Sequence, residues 1–345
     1  MSRQRAIAAS FSARARQAQG PRSRSGRHGP LVFFLLAAFS SAAAWAQPGQ
    51  VSGPVAGYVY DQSAQALRPV RGVPGGATLG DPLALSISPR AGFVAPRQDL
   101  AVLISNDGST HWFRLSGNTA TEVAAQGPVA TPEEVVFSPS GTAAALVAGG
   151  SVQVVTGLPG SPSLAGSVKL DGAAGGVRHS RGRPAVSDDG AWVLLVSGNA
   201  LRLAAVASGN SVALMPIGRS AAAAFAPGNR DAAVASDGAL TWIHDAAGGA
   251  TQQAVAQNAA LMTPAGIAFS ADETAVYAAN AAGMVLCFRL ADGTSVAQAS
   301  GAPATALEPM GDFFRLNQAG SGPLWLVDPN AGSPRVFFVP PATSN

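Results

Sequence analysis

Charge is sparse in this chain: Asp, Glu, Lys and Arg make up 12% of its 345 residues, and the 22 basic residues include a single lysine, Lys169. There is one cysteine, Cys287, so no disulfide can form within the chain and its stability must come from an apolar core. Cys287 lies in the strand-like run Met284-Val285-Leu286-Cys287-Phe288 with no cation beside it in sequence, as expected of a small core residue rather than a reactive thiol. No helical period persists, and 40 glycines and 25 prolines work against one. Gly-x-Ser-x-Gly, His-Glu-x-x-His and Gly-x-Gly-x-x-Gly are absent, and Lys169 follows Ser167-Val168 rather than a glycine loop. Without these motifs, the sequence gives no sign of a hydrolase elbow, a helical zinc site or a phosphate loop. No cofactor is implied.

The charge that is present is unevenly placed. Residues 1–46 hold seven arginines, from Arg3 to Arg27, and no acid; the apolar run Leu31-Val32-Phe33-Phe34-Leu35-Leu36-Ala37-Ala38-Phe39 follows. Ala44-Trp45-Ala46 then precedes Gln47-Pro48, completing the basic, apolar and small-x-small regions of a secretory signal peptide cut after Ala46. The rival is an uncleaved anchor, but Leu31 to Ala46 is only 16 residues, whereas a spanning helix needs about 20. No cysteine follows for a lipid anchor, and no Arg-Arg pair marks twin-arginine export. Without the leader, 15 basic residues face 19 acidic ones, and the net charge moves from +3 to −4. So acidic a domain offers no broad surface for nucleic acid. The expected product is an exported, monomeric single domain over 47–345, periplasmic or extracellular, with no membrane span once the leader is cut.

What recurs is a short sentence of residues. Val135-Val136-Phe137-Ser138-Pro139-Ser140-Gly141 leads into Ala143 to Ala148, and Ile267-Ala268-Phe269-Ser270-Ala271-Asp272-Glu273 leads into Ala275 to Ala279. Taking the residue after each first run as a marker gives Ser88, Ser138, Ser187, Ala226 and Ser270. After each marker comes a second apolar run ending in glycine or asparagine, then two further strands joined by glycine turns such as Ala291-Asp292-Gly293. Four strands repeating every 40 to 50 residues or so specify an all-β protein of the β-propeller class. A sixth unit runs from Thr305 to Val339, and an N-terminal hairpin pairs Gly57–Asp61 with Ala66–Val70. The expectation is seven blades with the first incomplete; the alternative is six blades with that hairpin as an outer flap.

The stretch Ala265-Gly266-Ile267-Ala268-Phe269-Ser270-Ala271-Asp272-Glu273-Thr274-Ala275-Val276-Tyr277-Ala278-Ala279-Asn280 resembles the unit of the YVTN-type propellers. That superfamily includes surface-layer propellers and lactonase-type enzymes related to 6-phosphogluconolactonase. The resemblance implies the fold. Ala278-Ala279 replaces the central pair of the family signature, and no blade carries a Trp-Asp ending.

Among polar residues, Val177-Arg178-His179-Ser180-Arg181-Gly182-Arg183 stands out. Three arginines and a histidine just before an inner strand would lie near a channel mouth, where arginine suits carboxylate or phosphate recognition. Arg178, His179, Arg181 and Arg183 are therefore the candidate ligand- or partner-binding residues, with a solvated loop as the alternative. His111, His179 and His244 fall in three repeats, and Asp107-Gly108 and Asp188-Asp189-Gly190 lack the alternating oxygens of a calcium loop, so no metal site is expected. Trp112, Trp192, Trp242 and Trp325 lie in strand runs and should fill gaps between blades. The function expected is a non-enzymatic scaffold that binds a protein or envelope component. The alternatives are a lactonase-like hydrolase and an anion- or small-ligand-binding module.

Overall fold

The repeated Ser/Pro/Asp/Gly segment folds into one kind of turn. In a computed structural model, which describes residues 53–170, 182–228, 230–330 and 333–342, Ser138, Ser187 and Ser270 each close the hairpin between the first and second strands of a blade. The backbone N–H of each serine donates to the carbonyl five residues on, at 2.9, 3.0 and 2.9 Å, and its hydroxyl accepts the N–H of that same residue at 3.1, 3.0 and 3.0 Å. The residue three positions after each serine is left-handed: Gly141 (φ 72°), Gly190 (φ 66°) and Glu273 (φ 57°). Glycine enters that region without a Cβ penalty, which explains why it is common there.

The same geometry corrects one marker. The first strand of its blade is Pro89–Val94, and the turn residue is Ala95, whose N–H donates to the Leu100 carbonyl at 2.9 Å, with Gln98 left-handed at φ 61°. Ser88 therefore lies outside the turn. Leu83 is buried in the approach to that strand, packed beside Tyr58 and Leu67.

Seven antiparallel sheets result. Blade 1 has three strands, Val55–Asp61, Ala66–Arg71 and Thr78–Leu79. Blades 2 to 7 have four each, beginning with Pro89–Val94, Glu134–Phe137, Ala185–Val186, Ala221–Phe225, Pro264–Phe269 and Glu308–Met310. Second strands such as Leu100–Ser105 and Ala232–Ser236 are buried throughout because both faces of the sheet are covered, so they read as unbroken apolar runs rather than alternations.

Each neighbouring pair of blades has its own apolar cluster, including one between blades 7 and 1 built on Val59, Val70, Leu324 and Leu326. The ring is thus closed, and Gln62 N–H bonding to the Ala319 carbonyl at 3.0 Å reinforces the seam. The four tryptophans sit in these clusters, as expected of spacers between blades. The only helical element among the described residues is a 3-10 turn, Ala259–Met262.

The N-terminal hairpin is a true blade, and the strand it lacks is the innermost. Tyr58 to Asp61 are buried like a second strand, and Gly311 N–H of blade 7 reaches the Pro96 carbonyl of blade 2 at 2.7 Å, joining their inner turns directly. Six inner strands therefore line the axis.

Candidate functional site

A cavity of about 1300 Å³ takes in the axis and extends beside blade 6 to Cys287, Arg289 and Val296. Its walls are mostly small or apolar: Val135 to Phe137, Ala185 and Val186, Ala221 to Phe225, and Ile267 to Phe269. No residue of blade 1 lines it. Arg97, Asp272, Arg289, Asp312 and Asn330 also line it, and a linked polar cluster lies at the end where the inner strands begin.

Glu134 opens the inner strand of blade 3, Arg183 lies two residues before that of blade 4, and Glu308 opens that of blade 7. Arg183 donates through Nε to Glu134 and through an Nη to Glu308, while Arg315 of blade 7 donates to the other oxygen of Glu308. Blades 3 and 4 are neighbours, whereas blade 7 stands across the channel, so Arg183 is a strut spanning the axis. Two cations and two anions thus form one linked chain of ion pairs.

The electrostatics follow from that closure. Burial raises the Glu308 carboxyl, but the charges and hydrogen bonds of Arg315 and Arg183 outweigh it and hold its pKa down to about 2. Burial likewise works against charge on Arg183, and the two glutamates overcome it, raising its pKa further. The Glu308 carboxylate is therefore not poised near neutral pH for proton transfer.

Of the four residues singled out on sequence, Arg183 is in the channel, bonded to Glu134 and Glu308; Arg178, His179 and Arg181 lie outside the described residues, as do the leader and its Ala44 and Ala46. The two described histidines, His111 and His244, do not converge. His111 and His244 lie in the third strands of blades 2 and 5, and each meets its own carboxylate, Glu122 at 2.6 Å and Asp231 at 3.2 Å. Among the described residues, no three His, Cys, Asp or Glu side chains are grouped to hold a metal. Nor is any described helix long and apolar enough to cross a membrane. Asp188 acts as an inter-blade tie, accepting from Ser140 Oγ at 2.6 Å and from Gly228 N–H at 2.7 Å. Cys287, on the third strand of blade 6, is half-buried; burial pushes its thiol pKa up.

Glu134, Glu308 and Arg315 did not stand out in sequence. One signal was present: Glu134 and Arg183 each fall four residues before a marker serine, Ser138 and Ser187, so opposite charges occupy the same register in adjacent blades.

No protein-family profile matches the chain, and no curated protein matches it in sequence. Solved structures do resemble it in fold. A protein of unknown function from Desulfotomaculum acetoxidans superposes with a TM-score of 0.55 at 15% identity, over 83% of this chain and all of the other. A 6-phosphogluconolactonase candidate from Bacteroides uniformis gives 0.55 at 15% identity, over 82% and 93%. A protein from Lactobacillus plantarum gives 0.55 at 14%, over 83% and 95%. At these identities the likeness establishes the propeller and its kinship in shape with lactonase-like rings, and nothing of activity.

Proposed function

We propose that this chain is an exported propeller whose channel is non-enzymatic and which works in the periplasm or at the cell surface by presenting the faces of its ring to a protein or envelope component. The carrying observation is the mutual pairing of the charges at the axis. Arg183, Glu134, Glu308 and Arg315 are linked to one another, and the inner-strand stretches of the wall are largely alanine, valine and phenylalanine, although Arg97, Asp272, Arg289, Asp312 and Asn330 also line the cavity. A lactonase-type site would instead direct uncommitted acidic, asparagine or histidine side chains and a metal into that space. The leader, with its Ala44-Trp45-Ala46 processing site, supports export.

The test combines location with contact. A photo-crosslinking residue is placed at Arg97 on one face of the ring, at Asn199 on the other, and at Val212 on the outer rim, in cells expressing the full chain. The reading expects a mature N-terminus at Gln47 in the exported fraction and a discrete adduct from one face but not from the rim. Adducts from neither face, or hydrolysis of 6-phosphogluconolactone that Arg183→Met abolishes, would overturn it.

A further inference from the structure

A second polar cluster lies away from the channel, on the hairpin that joins the second and third strands of blade 2. Ser109 Oγ is 2.7 Å from His111 Nε2, and His111 Nδ1 is 2.6 Å from Glu122 Oε1. Ser86 Oγ, in the approach to the same blade, donates to the other Glu122 oxygen at 2.9 Å. We propose that Ser109 is a nucleophilic hydroxyl that accepts the acyl group of a small activated ester, with His111 as its general base and Glu122 orienting the imidazole.

The local fold explains the alignment. Ser109 immediately precedes the strand Thr110–Ser116 and His111 is its second residue, and the 2.7 Å contact between them places both side chains on one side of the blade. Glu122 pairs with Phe113 on the neighbouring strand, which places its carboxylate diagonally from His111 on that same face. Hydrogen bonds from His111 and Ser86 lower the Glu122 pKa, so this carboxylate is ionised at neutral pH and accepts the Nδ1 proton. Nε2 is then left with a lone pair facing the serine hydroxyl, the division of roles that defines a nucleophile–base–orienter set. Ser109 is exposed, so a small ester needs no opening of the ring to reach it.

In the step itself, Ser109 Oγ attacks the ester carbonyl while its proton passes to His111 Nε2. The bond to the leaving alcohol then breaks, and His111 returns the proton to that alkoxide. Water attacks the resulting acyl-serine with His111 again as base, releasing the acid and restoring the hydroxyl.

Asp107 opposes this. Its carboxylate lies 2.6 Å from Ser109 Oγ as a rival acceptor for the same proton, and its charge disfavours the tetrahedral oxyanion. Ser105 Oγ, 2.7 Å from Ser109 Oγ, is the neutral hydroxyl beside the reacting atom. The reaction should therefore be slow and confined to esters with good leaving groups.

The purified full chain is incubated with p-nitrophenyl acetate and, separately, with an alkyl fluorophosphonate, and peptides are mapped by mass spectrometry. The expected result is an adduct on Ser109 whose rate of formation falls at least about a hundredfold in His111→Asn, the usual scale of general-base assistance, and falls less in Glu122→Gln. Asp107→Asn should label several-fold faster, and a slower rate would remove Asp107 as the rival acceptor. Thermal melting shows whether each variant is folded. If the cluster only braces the hairpin, Ser109 stays unmodified in the folded, unsubstituted chain, or His111→Asn labels at the same rate; either result overturns the proposal.

Discussion

Replacing Glu308 by glutamine keeps its shape and removes its charge, and the cost can be worked from the channel geometry. In the folded protein Glu308 has a pKa of about 2, against 4.5 for the free group. At about 1.4 kcal/mol per tenfold change in proton affinity, that difference contributes about 3 kcal/mol to stability. Only 21% of the Glu308 side chain is exposed, so solvent screening removes little of it. Because the folded value is depressed, the contribution is complete well above pH 4.5 and is lost as pH falls toward 2. At pH 3 about 1.4 kcal/mol should remain. Urea unfolding of the parent and Glu308→Gln proteins, followed by circular dichroism at pH 7, 5, 4 and 3, measures the gap directly. It should be about 3 kcal/mol at pH 7 and less than half that at pH 3. A constant gap over this range, or none at pH 7, would refute the assignment of Glu308 as an ionised member of the axial cluster.

The hairpin turns and the thiol give further tests. Ser138 is fully buried and its hydroxyl accepts the Ala143 N–H, so Ser138→Ala should cost about 1–2 kcal/mol in chemical denaturation. Gly190 combines φ 66° with a site where an added Cβ would lie 2.3 Å from Thr156 Cγ2, so Gly190→Ala should lower the thermal midpoint by several degrees, at about 2–3 kcal/mol. Burial raises the Cys287 pKa, leaving less thiolate at neutral pH, so maleimide should modify it at least about tenfold more slowly in native than in urea-unfolded protein. Equal rates would count against a packed thiol.

The strands were legible because their chemistry is local. Ala66–Arg71, Ala143–Ala148 and Ala275–Asn280 match the expected runs to within about one residue at each end, since each ends at a glycine or asparagine. Ala95 was missed because the turn needs only its backbone N–H; without the hydroxyl that Ser138 contributes, the motif loses its visible letter and keeps its geometry. The inner-strand gap in blade 1 was indistinct for a similar reason, since a fully buried hairpin reads alike whether or not another strand lies inside it. The axial cluster was harder still. Arg183 and Glu308 are 125 residues apart and meet only after the ring closes, so only the register shared by Glu134 and Arg183 hinted at it. Ser109, His111 and Glu122 lie within 14 residues, yet their relation depends on strand register that no motif encodes.

The central claim is that Arg183 crosses the channel to bond with Glu308 of the opposing blade. A double-mutant cycle of Arg183→Met and Glu308→Gln, read by urea unfolding at pH 7, tests it most directly. The strut predicts a coupling of about 1–3 kcal/mol, as for charged neighbours in one network. Additive effects, within about 0.3–0.5 kcal/mol, would mean that the two residues do not meet and would contradict it.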